Sequence, residues 1–328
     1  MAQLGEHCTK IAAYHFRTLH LTECQLDELW TFVLKKEDQL TPIEQMLNLY
    51  GDTWVWKVAL RGAIAFAPVS KLVPAWPLEG PLWVAGKRTL KDGKKLIKCL
   101  KNRLDTNIPF FTSDDLPHYA NALLDVYGQK IEPARTGNPP SKGDLPGRPR
   151  AAYKVPPESG PSRGHDLLYA VVCKRREGSR VVEVTTEIVY GRWPFEGPSP
   201  ERIAQVLHDS PTSNMISTYG VERGTSLWGN NLTIRQHSRR MGRKVNAFSK
   251  EHEYLEHQLA LSFAYYHFVI PHLGLRQRLP KPIPTNGTGS PKVWQQRTPA
   301  KVALRGAMAA GLTDHIWSMD ELLSKWPF

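Results

Sequence analysis

Hydrophobic and polar side chains alternate near the start of the chain, which predicts a β-strand. In residues 25–33 the even-numbered side chains fall on one face of this strand, and the odd-numbered ones, including Asp27, fall on the other. Residues 53–60 and 71–76 are rich in β-branched and aromatic residues and are separated by turn-forming residues. We therefore predict three sequential antiparallel strands.

Helical spacing follows these strands. Apolar residues recur every three or four positions in residues 89–104 and again in residues 116–127, where Gly128 closes the segment. Between them, the apolar run at residues 108–112 is too short for a helix. We expect a strand there, with Asp114 at its carboxyl end.

The middle of the chain contains a proline-rich segment and then a second alternating region. Residues 133–164 include eight prolines, which predicts an extended, mobile, cationic loop without a packed core. Residues 166–174 and 180–190 alternate around a polar turn, which predicts a β-hairpin. The sheet is therefore expected to continue beyond the loop.

The last part of the chain is predicted to be helical with a polar connection. Ser249 is expected to cap a helix that ends before Pro271, and residues 280–299 are expected to form a proline-rich connection. The heptapeptide at residues 57–63 recurs at residues 301–307. The copies are too isolated for a solenoid, and we interpret them as inserted segments without catalytic content.

Composition narrows the class of partner. The chain has 43 Lys and Arg against 31 Asp and Glu, a net charge of +12, which favours a polyanion such as nucleic acid. The four cysteines form no Cys-x-x-Cys pair, so the pattern indicates neither a zinc ribbon nor a disulfide framework. No signal peptide and no apolar run of about 20 residues is present, so we expect a bacterial-type cytoplasmic protein without membrane contact.

Three acidic residues in separate segments are the candidate catalytic residues: Asp27, Asp114 and Glu222. Two Mg²⁺ ions held by a few carboxylates stabilise the attacking and leaving oxygens of a phosphodiester. Ordinary structural explanations also exist. Asp27 could be an exposed strand residue, Asp114 a helix cap, and Glu222 the partner of Arg223 in an ion pair.

Six segments resemble, in order, the landmarks of the insertion sequence 1 family of DDE transposases, and together they span most of residues 20–323. They are QLDELWTFV at 25–33, YGDTWVW at 50–56, TSD at 112–114, NNLTIRQHSRR at 230–240, AFSK at 247–250 and MAAGLTD at 308–314. The resemblance implies a DNA transposase that cleaves at transposon ends and joins them to target DNA.

The resemblance also implies a fold: α/β, with a ribonuclease-H-like mixed sheet flanked by helices. The residue patterns described above add a proline-rich insertion and a helical C-terminal part. We expect a lead-in segment at residues 1–24, the catalytic domain at 25–270 and an extension at 271–328. Carried over by motif, Asp27, Asp114 and Glu222 are the acids that hold Mg²⁺, or Mn²⁺ in its place. Their nearest rivals by sequence are Glu28, Asp52 and Asp115.

The implied partners are the terminal inverted repeats of a transposon, target DNA and further copies of the chain, in a nucleoid-associated assembly. Family members commonly carry a zinc-binding segment and a helix-turn-helix before the first strand. Only about 20 residues precede it here, so a separate end-recognition protein is an alternative to the chain's own basic elements. The candidate DNA-binding residues are Arg148, Arg150, Arg235, Arg239, Arg240, Arg243 and Lys244.

Two other functions remain open at this point. Residues 224–229 interrupt the third acidic motif with two glycines, so the chain could be a catalytically inactive DNA-binding transposase remnant. A ribonuclease-type nuclease without strand transfer is the third possibility. Turnover of DNA that carries the element's ends separates the three.

Overall fold

A six-stranded mixed sheet flanked by helices forms the centre of the protein, in strand order β3-β2-β1-β4-β7-β8. The strands are β1 Glu23–Val33, β2 Gly51–Arg61, β3 Trp83–Gly86, β4 Phe110–Asp114, β5 Gln129–Ile131, β6 Tyr153–Val155, β7 Tyr169–Glu177, β8 Arg180–Tyr190, β9 Arg276–Ile283 and β10 Lys292–Gln296. Two separate two-stranded sheets pair β5 with β6 and β9 with β10.

The helices are α1 Ala2–His15, α2 Pro42–Leu47, α3 Leu90–Lys101, α4 Pro117–Tyr127, α5 Ser199–Asp209, α6 Asn230–His237, α7 His252–Ala264 and α8 Met319–Ser324. The computed structural model describes residues 2–15, 19, 21–47, 50–61, 83–104, 107–131, 153–157, 167–178, 180–191, 199–209, 215–218, 230–242, 246–270, 276–283, 292–296 and 315–324. No helix in these ranges has the length and apolar character needed to cross a membrane.

The predicted meander is present. β1 is antiparallel to β2, and β2 is antiparallel to β3. The third strand is β3, whereas residues 71–76, predicted for it, lie outside the described residues. β4 is parallel to both β1 and β7, and the β7–β8 hairpin is confirmed, with its turn at Gly178.

One face of the sheet, here called the helix face, carries Glu28 and Trp56 and is covered by α3 and α4. The Trp56 ring packs edge-on against Tyr119 of α4, with centroids 5.3 Å apart. Leu96, Ile97 and Leu100 of α3 are fully buried, as the helical spacing predicts. The Thr89 hydroxyl accepts a hydrogen bond from the Asp92 N–H and caps α3.

The opposite face, here called the site face, carries Asp27 and Lys57. Near the start of β4, Phe110 packs with Ile203 and Leu207 of α5 in a small apolar cluster. Further along, polar groups replace this cluster. The site face therefore carries an apolar cluster around Phe110 at one end and the buried charges of Asp27 and Lys57 at the other.

The segments that precede and follow the sheet share its core. Ile11 of α1, Leu259 of α7 and Leu322 of α8 belong to the same buried cluster as the sheet residues. The backbone carbonyl of Leu322 also lies 2.9 Å from His7 Nε2. This core therefore includes residues from both terminal segments, 1–24 and 271–328, that the sequence analysis separated from the catalytic domain.

Three local predictions are wrong. Ser249 does not cap α7, which begins after Glu251, and its backbone carbonyl instead accepts from the Leu34 N–H at 2.8 Å. The predicted loop at 133–164 contains β6, and the predicted connection at 280–299 contains β10. The C-terminal part is therefore not wholly helical.

Candidate active site

Asp27 and Asp114 lie side by side on the central strands of the sheet. In the parallel ladder of β1 and β4, Leu26 is opposite Ser113, and the two aspartates are the next residue of each strand. Residues at one level of a parallel pair project from the same face of a sheet. The fold thus brings together two acids that are far apart in the sequence.

Asp27 forms a buried ion pair with Lys57, its cross-strand neighbour on β2. The Lys57 Nζ lies 3.1 Å from Asp27 Oδ2, and the exposed fractions of the two side chains are 0% and 12%. Burial lowers the pKa of the Lys57 ammonium, and the Asp27 carboxylate opposes that shift. Arg235 adds a positive charge nearby that lowers the same pKa further.

Asp114 forms the second ion pair, with Lys174 of β7, in a more open setting. The Lys174 Nζ lies 2.9 Å from Asp114 Oδ1, with exposed fractions of 17% and 43%. The Thr218 hydroxyl donates to the same carboxylate oxygen at 3.2 Å and accepts from Lys174 Nζ at 3.2 Å. Two donors from two different segments therefore meet at one oxygen of Asp114.

A cleft of about 570 Å³ opens beside Asp114 at the carboxyl ends of β4 and β7. Lys174, Arg175 and Arg176 line it together with Glu183. Arg175 is neutralised by Glu183, with Nε 3.0 Å from Oε2. Three basic side chains of the cleft thus lie beside Asp114, and their charge is balanced by Asp114, Asp115 and Glu183.

The three rival acids have other surroundings. Glu28 lies on the helix face, as predicted, where it accepts from Tyr119 at 2.9 Å and from Arg88. Burial raises the pKa of Tyr119 well above its usual value, so its hydroxyl remains a donor to Glu28. Asp52 accepts a hydrogen bond from the Glu37 N–H at 3.1 Å. Asp115 is exposed, and its side chain forms a hydrogen bond with the Cys173 thiol.

The predicted DNA-binding residues that the structure describes differ in exposure. Arg235 donates to the carbonyls of Met241 and Trp30, and Arg240 donates to the Ser249 hydroxyl at 3.3 Å. These two guanidinium groups bind other parts of the chain, whereas Arg239 is exposed. Glu222, Arg148, Arg150, Arg243 and Lys244 lie outside the described residues.

The donor set fits a hard divalent cation in part. Carboxylates on adjoining strands are the oxygen ligands that Mg²⁺ and Mn²⁺ prefer, and Mg²⁺ commonly keeps several waters. At both aspartates a lysine ammonium already occupies a position where positive charge is favoured. Within the described ranges, no three His, Cys, Asp or Glu side chains come together as a metal site.

Sequence reasoning missed the partners Lys57, Lys174 and Thr218. Lys57 opens the repeated heptapeptide, which we interpreted as an inserted segment, whereas residues 57–61 belong to β2 and pair with β1. A lysine within the apolar run of residues 54–60 was the available signal, because such a position is buried and requires a counter-charge.

No protein-family model matches this chain, and no curated protein matches it. The resemblance to insertion sequence 1 transposases therefore remains a prediction carried by the short motifs.

Proposed function

We propose that the protein is a metal-dependent DNA transposase with a ribonuclease-H-like catalytic sheet. One observation carries the proposal. Asp27 in the middle of β1 and Asp114 at the end of β4 lie at one level and on one face of neighbouring parallel strands. The sheet order, with an antiparallel meander beside two parallel strands, supports the same assignment.

In this proposal Asp27 and Asp114 hold divalent cations, with Glu222 as the third ligand. When bound, Mg²⁺ or Mn²⁺ would activate a water or 3′-hydroxyl and stabilise charge on the phosphate. The chain's own residues supply the rest. Lys57 fixes the Asp27 carboxylate from inside the sheet, and the basic side chains of the cleft beside Asp114 contact the DNA backbone.

The reaction would be hydrolysis at a transposon end, followed by attack of the freed 3′-hydroxyl on target DNA. Two ends must be processed together, so the proposal includes a homo-oligomer and a cytoplasmic, nucleoid-associated location. Exposed Arg239 and the four basic residues Arg148, Arg150, Arg243 and Lys244 are the proposed DNA contacts. A separate end-recognition protein is the alternative to end recognition by these basic residues.

The test is divalent-dependent nicking and joining of duplexes that carry the DNA flanking the reading frame. We expect Asp27→Asn and Asp114→Asn each to lower the initial rate more than about 100-fold, because each removes a ligand rather than an outer contact. Asp52→Asn is the matched control, since its carboxylate bonds the Glu37 backbone away from the site, and its rate should equal wild type.

Other outcomes would identify the alternatives. Salt-sensitive DNA binding without turnover in Mg²⁺ or Mn²⁺ would indicate an inactive remnant. Cleavage of RNA in hybrids without joined DNA products would indicate a ribonuclease-type nuclease. Equal rates for wild type and Asp114→Asn would end the catalytic assignment.

A further inference from the structure

The two lysines at the site differ in their freedom to move. Lys57 is enclosed in the middle of β2, and its side chain has no contact with solvent. Lys174 lies near the outer end of β7, where its neighbour Arg175 is already exposed. If the Lys57 ammonium left Asp27, it would have to pass through the core. The Lys174 ammonium, by contrast, lines the cleft and could move into it.

The hydrogen bonds and ion pair of Lys174 also allow its ammonium to leave Asp114. Its ammonium contacts Asp114 Oδ1 and the Thr218 hydroxyl, and Asp114 itself is the more exposed of the two site acids. Solvent therefore screens the Lys174–Asp114 ion pair more than the enclosed Lys57–Asp27 pair, and less free energy is needed to separate it. The flexible four-carbon stem of lysine lets the charge move while the backbone remains in the β7 ladder.

We propose that Lys174 is an exchangeable internal cation, which holds the Asp114 carboxylate until a divalent ion replaces it and then binds a DNA phosphate in the cleft. The inference rests on the proposed function, because the incoming ion is the one assigned to Asp27 and Asp114. Lys57, by contrast, stays with Asp27 throughout and positions it. Lys174 thus couples occupancy of the metal site to binding of the backbone.

Mn²⁺ binding by the DNA-free protein tests the first half. Lys174→Met removes the competing ammonium and should tighten Mn²⁺ binding about five- to tenfold in a calorimetric or paramagnetic titration. Arg176→Met is the matched control, since it removes one charge from the same face of the same strand. Because its side chain is not a partner of Asp114, we expect less than about a twofold change.

DNA binding tests the second half. In EDTA the Lys174 ammonium is engaged with Asp114, so wild type and Lys174→Met should show the same dependence of affinity on salt. In Ca²⁺, used as a non-catalytic divalent ion, the slope for Lys174→Met should be smaller by about one unit, the value of one phosphate contact. Equal slopes in Ca²⁺ would exclude the phosphate contact.

The outcomes separate this inference from the proposed function. If wild type binds no Mn²⁺, or Asp114→Asn binds it equally well, the metal site itself is wrong. If binding requires Asp114 but Lys174→Met binds with unchanged or weaker affinity, Lys174 is a structural partner and only the exchange is wrong. Lys174→Gln provides the same comparison should the methionine variant fail to fold.

Discussion

The two faces of the central sheet bury opposite kinds of chemistry from adjacent positions of the same strands. On β1, Asp27 faces a buried lysine, whereas Glu28, the next residue, meets a tyrosine hydroxyl and an arginine. On β2, Lys57 faces the site and Trp56 packs under the helices. The period of two along a strand thus separates a polar site from an apolar core within one layer.

The difference explains why adjacent acids are not equivalent. Glu28 accepts hydrogen bonds from Tyr119 of α4 and from Arg88 before α3. These bonds fasten both segments to the sheet, so we assign Glu28 a structural role. Asp27 and Asp114 are instead held by lysine ammonium groups, and in our proposal a divalent cation replaces only the one on Asp114. Changes on the site face should therefore alter metal binding, and changes on the helix face should alter stability alone.

The largest effect on stability is expected at Lys57. Lys57→Met leaves the nearly buried Asp27 carboxylate without its counter-charge, which costs about 3–5 kcal/mol of unfolding free energy. In the double variant Asp27→Leu/Lys57→Met neither charge of the pair remains, and more than half of that loss should return. Urea unfolding of the four proteins of this cycle measures the coupling.

This cycle also tests the comparison itself. The double variant should be stable but unable to bind Mn²⁺, which separates folding from the site. A loss below about 1 kcal/mol for Lys57→Met would mean that the pair behaves like a surface ion pair, contrary to its burial.

A smaller loss is expected on the helix face. Leu96→Ala empties a fully buried position of α3 and should cost about 2–4 kcal/mol. Nicking activity per folded molecule should not change, because Leu96 lies behind the sheet from Asp27. Leu96→Met is the control and should cost less than about 1.5 kcal/mol. Altered metal dependence in the alanine variant would contradict the separation of the two faces.

Much of this architecture is predictable because it depends on local patterns. The alternation of residues 25–33 correctly assigned Asp27 and Glu28 to opposite faces, and the short run before Asp114 correctly ended a strand there. The helical spacing of residues 89–104 likewise agrees with α3. Each of these signals lies within about a dozen residues, where side-chain periodicity is informative.

The rest depends on register and on sheet edges, which local patterns do not encode. The pairing of Asp27 with Lys57 follows from the β1–β2 register, and one residue of slip would place Lys57 on the other face. β9 contains Pro280 and Pro282, and these prolines led us to predict an irregular connection there instead of a strand. It belongs to a two-stranded sheet, where a strand has an unpaired edge that tolerates proline.

The smallest effect is a gain in stability, expected at Gly93 in the interior of α3. A Cβ at this position would lie 3.5 Å from the Trp56 ring and 3.7 Å from the Ala122 Cβ, both ordinary contacts. Gly93→Ala should therefore raise the unfolding free energy by about 0.5–1 kcal/mol, because alanine loses less backbone entropy in a helix. Gly86→Ala is the contrasting variant, since its Cβ would lie 2.8 Å from Asp92 Cγ and displace a carboxylate that bonds the Lys87 N–H. If Gly93→Ala instead lowers the unfolding free energy, α3 lies closer to the sheet than these contacts indicate. The helix face would then be destabilised by added volume, as the site face is by the loss of a charge.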